Sequence, residues 1–310
     1  MASSSTIPEE AMPSFHEHLL KSNKIMALCG AGLSAASGLP TFRGAGGLWR
    51  THDATSLATE DAWLEDSGLV WQFYNYRRHM ALQAKPNAAH YALAELARRK
   101  PGFQCLSQNV DGLSQRADHP RSQLQLLHGT LFNVKCDDYV CDYIREDFTD
   151  PFCPALATPT GQDPTTKTAQ AAAQTAKELD ISQANVPIPH VSRSDLPTCP
   201  KCKTGVLRPG VVWFGESLPR NVTNFVDEFI RQEDRIDLIM VIGTSAQVYP
   251  AAGYVLKARR KGTRVAVINM DDQDIPAGGG REGDWMFKGD ASKIIPELLM
   301  PVVGKGYPHM

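Results

Sequence analysis

Apolar residues in this chain come in short unbroken runs that stop at glycine or polar clusters. Lys24 to Cys29 ends at Gly30-Ala31-Gly32, and Leu238 to Ile242 ends at Gly243-Thr244-Ser245. Val265 to Ile268 ends at Asn269, and Gln104 to Leu106 leads into Ser107-Gln108-Asn109-Val110-Asp111. Runs this short and this continuously apolar fit strands buried on both faces. Between them, Ala88–Arg99, Asn221–Arg231 and Ala251–Arg260 read as helices. The alternation predicts an α/β fold, a parallel sheet with helices on both faces. Ligands of such sheets bind beyond the carboxyl ends of the strands, where all four polar clusters fall.

Two stretches break the rhythm. Residues 48–85, rich in Trp, Tyr and helix formers, predict a helical insertion. Residues 131–210 hold the β-like pieces Leu131–Lys135 and Val206–Arg208 and two cysteine pairs, Cys136/Cys141 and Cys199/Cys202. Four thiols so spaced suit one tetrahedral zinc ion; a closed thiolate set leaves no place for substrate, so the metal would be structural, in a small zinc-ribbon-like module. Two disulfides are the plain alternative. Seven cysteines, an odd number, favour reduced thiols. Residues 154–198 contain no Phe, Tyr or Trp and read as a flexible loop adding little to a core, with one helix near Thr168–Leu179. The sheet domain is then discontinuous (14–47, 86–130 and 211–303), with tails at 1–13 and 304–310.

Bulk properties narrow the class. The 310 residues, 42% hydrophobic and 21% charged, allow one large domain with an inserted module. A net charge of −2 gives no global attraction for nucleic acid or an anionic membrane. No run approaches the roughly 18 apolar residues of a membrane span. Residues 1–17 carry Glu9, Glu10 and Glu17 but no Arg, unlike a secretory signal or a mitochondrial presequence. The expectation is an intracellular protein, with cytoplasm or nucleus preferred and the mitochondrion open.

Gly30-Ala31-Gly32-Leu33-Ser34 follows a strand, as a phosphate-cradling turn does. Glycine lets the backbone approach a pyrophosphate, and a helix N-terminus behind it offers free N–H groups. The full GxGxxG spacing is absent, but Gly38 to Gly44 adds a Phe and a cation suited to cover a nucleotide's reactive end. The blocks GAGLSAASGLPTFRG (30–44), SQNVD (107–111), HG (128–129), the cysteine pairs, RPGVVWFGE (208–216), GTS (243–245) and Asn269 together resemble the sirtuin family, in the same order and at matching intervals. The match runs from about residue 14 to 300, interrupted mainly at 142–198.

The resemblance implies an NAD-dependent protein-lysine deacylase with a Rossmann-type domain and a zinc module. NAD+ is the co-substrate, one Zn2+ the structural metal, and acylated lysines of proteins such as histones or metabolic enzymes the partners. By position, Ala31, the Gly30 backbone and Arg43 would meet the diphosphate, with Gly32, Ser34, Thr41 and Phe42 lining the same site. Gln108, Asn109 and Asp111 would line the nicotinamide and ribose pocket. Thr244, Ser245, Asn269 and the Ala291 backbone would hold the adenosine end beside Gly243. Val212, Trp213, Phe214, Gly215 and Glu216 would pair with the substrate peptide, the acyl-lysine threading a tunnel beside them. Asn109 and His128 would be catalytic. Nicotinamide leaves as the acyl oxygen attacks the ribose, giving an alkylimidate; His128 serves as general base for the ribose hydroxyl, and O-acyl-ADP-ribose results.

Trp71 to Arg78 reads as helix, which puts Tyr74 and Arg77 on one face. A phenol beside a guanidinium suits a carboxylate, whose two oxygens Arg can bind together. An amphipathic helix with a core Tyr and a solvated Arg is the plain alternative. The pair is similar to that of the class III sirtuins, which remove succinyl, malonyl and glutaryl groups, and Ala58 matches that branch too; weak deacetylation follows. Departures from the family pattern are Ser114 in place of His, Asp118 in place of Gly, and four residues between Cys136 and Cys141. Rivals are a sirtuin-type deacetylase, a mono-ADP-ribosyltransferase, and a module that binds NAD or acyl-peptide without turnover. An ordinary dehydrogenase is disfavoured, since no acidic ribose-binding residue stands about twenty positions past Gly32 in a second strand of the sheet.

Overall fold

The structure, a computed structural model, describes residues 10–41, 47–161, 177–245, 248–259, 263–276 and 280–306. Two units emerge: Met1–Thr41 with Ala84–Thr130 and Ser217–Met310, and Phe42–Gln83 with Leu131–Glu216.

The first unit is built on six strands: β1 (Ile25–Cys29), β2 (Phe103–Ser107), β3 (Leu124–Leu126), β4 (Leu238–Ile242), β5 (Arg264–Asn269) and β6 (Trp285–Lys288). They lie in the order β3-β2-β1-β4-β5-β6, and every pairing is parallel. This is the doubly wound Rossmann order, whose direction reverses between β1 and β4. Every residue of β1, β2 and β4 is buried, which is why these segments carry no polar alternation. The Ala88–Arg99 helix begins where Asn87 accepts the Ala89 amide at 3.1 Å and His90 closes a capping box. The Ala11–Lys21 helix drives Phe15 edge-on into Trp285 and Phe287 at 5.3 and 5.5 Å. It starts earlier than the tail read at 1–13 allows.

The second unit joins the helical excursion to the cysteine module. Helices Ala54–Leu57, Glu60–Glu65 and Ser67–Gln83 accompany a three-stranded sheet in which Gly129–Cys136 lies between Leu207–Val211 and Ile144–Glu146. Fully buried Arg78 anchors the long helix, donating to the carbonyls of Leu131, Asp147 and Thr149 at 2.5, 2.9 and 2.9 Å.

Residues 154–198 differ from the expectation. Leu156, Ile181, Val191 and Leu196 are buried, so the stretch does build core, through aliphatic instead of aromatic side chains. Its return limb follows the Ser67–Gln83 helix closely: a Cβ on Gly68 would lie 1.8 Å from the Val191 carbonyl, and Gln72 donates to Pro189 at 2.7 Å. Arg50 gathers the carbonyls of Ile181, Gln183, Val186 and Ala184 at 2.9–3.1 Å. Lys177–Glu178 is a short strand antiparallel to Thr160–Gly161, which ends the helix expected over Thr168–Leu179; the rest of that helix lies outside the described residues. No helix among the described residues is long and apolar enough to cross a membrane.

Candidate functional site

At the switch point the ends of β1 and β4 interlock backbone to backbone. Gly30 and Gly32 donate to the Ile242 and Gly243 carbonyls, both at 2.9 Å. A Cβ on Gly30 would lie 2.5 Å from the Thr244 side chain, and one on Gly32 would lie 2.7 Å from the Gly243 backbone. These glycines are therefore demanded by the chain itself, before any nucleotide arrives. Gly243 holds φ at +59°, and the helix behind the turn is only Gly32–Ala35.

The SQNVD cluster closes over this turn. Asn109 donates to the Gly30 carbonyl at 2.9 Å and to the Ser34 hydroxyl at 3.2 Å; that hydroxyl donates to Asp111 at 2.7 Å. Gln108 donates to the Thr244 hydroxyl at 3.1 Å. Asn269, at the end of β5, donates to Asp274 at 2.9 Å and to the Thr244 carbonyl at 3.4 Å. Thr41 and Ser245 are half-buried, and Ala291 opens the Ala291–Val303 helix behind the Asp290 cap. Phe42 and Arg43 lie outside the described residues.

His90 belongs to this network, although sequence reasoning did not single it out. The Asn87 amide donates to its Nδ1 at 3.3 Å, so Nε2 carries the proton and faces the Ser34 hydroxyl at 3.4 Å. Burial holds its pKa at about 4, so the ring is neutral. The one available signal was Asn87 before a helix with a His three residues on.

His128 stands at the two-residue turn after β3. Its Nδ1 lies 3.0 Å from the Gln108 carbonyl. A carbonyl only accepts, so Nδ1 carries the proton and the Nε2 lone pair is left to act as a base. Burial lowers this histidine's pKa, and the Gln108 bond opposes that in part. Downstream, Asp118 adopts φ +57°, which explains the usual glycine there; Arg98 steadies it, donating to its carbonyl and carboxylate at 2.6 and 2.8 Å.

In the second unit, Tyr74 and half-buried Arg77 lie one turn apart on the long helix. Tyr74 is fully buried, its hydroxyl has no partner among the described residues, and burial pushes its pKa up to about 12. Arg77 rests 5.5 Å from the Phe73 ring centre. Ala58 is buried and accepts the Phe214 amide at 2.9 Å; Trp213 donates its amide to Glu216 at 2.8 Å. Those two amides are thus committed within the chain, and Gly215 turns with φ +89°. Arg208, also unforeseen as a site residue, grips Glu216 at 2.7 and 3.1 Å.

The four cysteines meet. Cys136 closes its strand, Cys141 returns through a turn in which its amide donates to Asp138 at 3.0 Å, and Cys199 and Cys202 share a second turn. The Sγ atoms of Cys136 and Cys202 are 3.6 Å apart, those of Cys141 and Cys199 are 3.8 Å apart, and all four lie within 4.8 Å of one another. Zinc–sulfur bonds of about 2.3 Å set tetrahedral sulfurs about 3.8 Å apart, so the set fits zinc. Backbone amides of Asp138 and Gly205 donate to Cys136 and Cys202 at 3.4 and 3.3 Å, steadying thiolates. The wider first pair is no obstacle, and none of the seven cysteines is in a disulfide.

A Sir2 family model matches residues 30–250. An "NAD-dependent protein deacylase" of Candida albicans is 45% identical over 298 residues, 94% of this chain and 97% of the relative. The "NAD-dependent protein deacylase sirtuin-5, mitochondrial" of Danio rerio is 37% identical, covering 95% of this chain and 88% of its own. A crystal structure of a Sir2 homolog–NAD complex superposes with a TM-score of 0.71 at 32% identity, covering 97% and 96% of the two chains. With the glycine turn, the cysteine cluster and β1–β6 all inside one matched architecture, the chain belongs to the Sir2 family.

Proposed function

We propose that this protein is an NAD-dependent protein-lysine deacylase that prefers acidic acyl groups, succinyl, malonyl and glutaryl, over acetyl. Family membership and the deacylase names of relatives at 35–45% identity support the reaction class. The observation that carries the acyl preference is the buried Tyr74 hydroxyl with no partner, one helical turn from Arg77. A buried donor without an acceptor costs about 1–3 kcal/mol, and an acyl carboxylate supplies that acceptor.

The turn at Gly30 to Ser34, with Gln108, Asn109, Asp111, Thr244, Ser245 and Asn269, would hold NAD+. His128 Nε2 takes a ribose hydroxyl proton and later returns it; Asn109, already tied to the Gly30 carbonyl, fixes the loop beside it. Beyond that base the site offers little acid–base chemistry, so orientation and exclusion of water contribute most of the acceleration. The cysteine cluster would hold zinc with no open coordination position, as a structural support. Targets are acylated lysines of proteins, with histones or metabolic enzymes the proposed classes. The sirtuin-5 relatives are named mitochondrial, which weighs for that organelle over the cytoplasm or nucleus; imaging a C-terminally tagged chain decides.

The test offers the purified protein NAD+ and one peptide bearing acetyl-, succinyl- or malonyl-lysine, and repeats it with Arg77→Met. Succinyl and malonyl should turn over faster than acetyl. The variant should lower their kcat/KM about 10- to 100-fold, the worth of a charge-assisted bidentate contact. Fastest turnover of acetyl, with Arg77→Met unchanged, refutes the acyl preference.

A further inference from the structure

Several buried polar groups of the second unit have no hydrogen-bond partner of normal geometry among the described residues, and the Tyr74 hydroxyl and the Trp213 indole N–H are among them, in residues 0% and 2% exposed. The two groups act on each other. Burial raises the phenol's pKa, while the Arg77 charge, the Trp213 N–H and the Arg208 charge pull it back.

The indole is also held from several directions. Arg208 lies over its ring, 3.3 Å from the centre, and grips both oxygens of Glu216. Glu216 in turn accepts the Trp213 backbone N–H at 2.8 Å, and Trp63 packs tilted against the indole at 5.7 Å. A core tryptophan buries its area without such fastening. What the fastening adds is a fixed direction for one N–H.

We infer that Trp213 is a positioning residue for acyl recognition: its indole N–H occupies the acceptor side of the Tyr74 oxygen, leaving the phenol O–H to be donated to the acyl carboxylate. This rests on the acidic-acyl reading above and deepens it. A hydroxyl that already receives a hydrogen bond is a stronger donor. The N–H to phenol contact tightens when the carboxylate arrives, as polar contacts of ligand-free sites do. Arg208 and Glu216 act through Trp213, so acyl specificity extends to residues that touch no acyl atom.

The experiment measures kcat/KM on succinyl- and acetyl-lysine forms of one peptide for Tyr74→Phe, Trp213→Phe and the double variant. Phenylalanine keeps a ring beneath Arg208 and deletes only the N–H donor and part of the volume. Trp213→Phe should lower the succinyl-to-acetyl ratio about fivefold, the worth of one hydrogen bond, through KM for the succinyl peptide. Added to Tyr74→Phe, it should lower the ratio no further, because its route runs through the missing hydroxyl. A further loss in the Tyr74→Phe background, or an equal fall on both peptides, overturns the inference. Should Trp213→Phe not fold, Arg208→Lys, which removes the stacked fork but keeps the charge, must show the same ratio loss and the same non-additivity. Arg77→Met run alongside separates the two claims. If it moves the ratio and Trp213→Phe does not, the inference falls and the acidic-acyl reading stands; if neither moves it, the reading itself falls.

Discussion

Replacing Tyr74 by Phe should make the ligand-free protein more stable and the enzyme less selective. The hydroxyl is fully buried and its O–H has no acceptor among the described residues, so in the absence of substrate that donor contributes a desolvation cost, about 1–3 kcal/mol. Phenylalanine keeps the edge-to-face contact with Phe73 at 5.0 Å and removes that cost. After a small loss of dispersion contacts, a gain of about 1 kcal/mol remains, which is about 2–4 °C in Tm for a domain of this size. Against a carboxylate the same hydroxyl makes a charge-assisted bond of about 1.5–3 kcal/mol, so the succinyl-to-acetyl ratio of kcat/KM should fall about 10- to 100-fold. Differential scanning fluorimetry without ligands and steady-state kinetics on the two peptides read the opposed effects. A Tm lower by several degrees would mean that the O–H already has a structural acceptor. An unmoved ratio would mean that it faces no acyl group. Either result refutes the reasoning.

His128→Asn should lower kcat about 10²- to 10⁴-fold while NAD+ still binds, as followed by calorimetry. Burial depresses the His128 pKa, so the acid limb of kcat/KM should lie below the ordinary histidine range; a limb that persists in the variant assigns it elsewhere. His90 and His119 are held near pKa 4 by burial, against 6.5 in the unfolded chain, so the unfolded state binds more protons as pH falls. Stability should drop by about 2 kcal/mol per group between pH 7 and pH 5, and His119→Gln should remove half of this dependence in urea titrations; an unchanged slope contradicts the assignment. Metal analysis should find one zinc per chain. Cys202→Ser or prolonged chelation should lower Tm by several degrees, whereas full stability in the zinc-free protein rules out the structural role.

The strands were legible because parallel strands covered on both faces are buried at every position, so β1 and β4 are apolar throughout and β2 is apolar except at Gln104 and Ser107. β6 was not, being four residues long with only the three apolar residues Trp285, Met286 and Phe287 to mark it. The Ala291–Val303 helix contains Pro296 and Pro301, which argue against helix locally; burial of Ile294, Ile295, Leu298 and Leu299 overrides them. At the site, residues within one motif could be read from spacing. His90, Trp213's fastening by Arg208 and Glu216, and the core role of Val191 depend on contacts between distant segments, which no local pattern encodes.

The facing of Gly161 and Lys177 has a practical reach. The ladder holds the two ends of the intervening sequence side by side, so extra length added between them costs only about 0.6 kcal/mol for each doubling. A peptide epitope or a small fluorescent domain spliced between Gly161 and Lys177 should therefore be tolerated, held at both ends by a two-rung ladder. The limb beyond, pinned by Arg50, would keep its course along the helix that bears Tyr74 and Arg77.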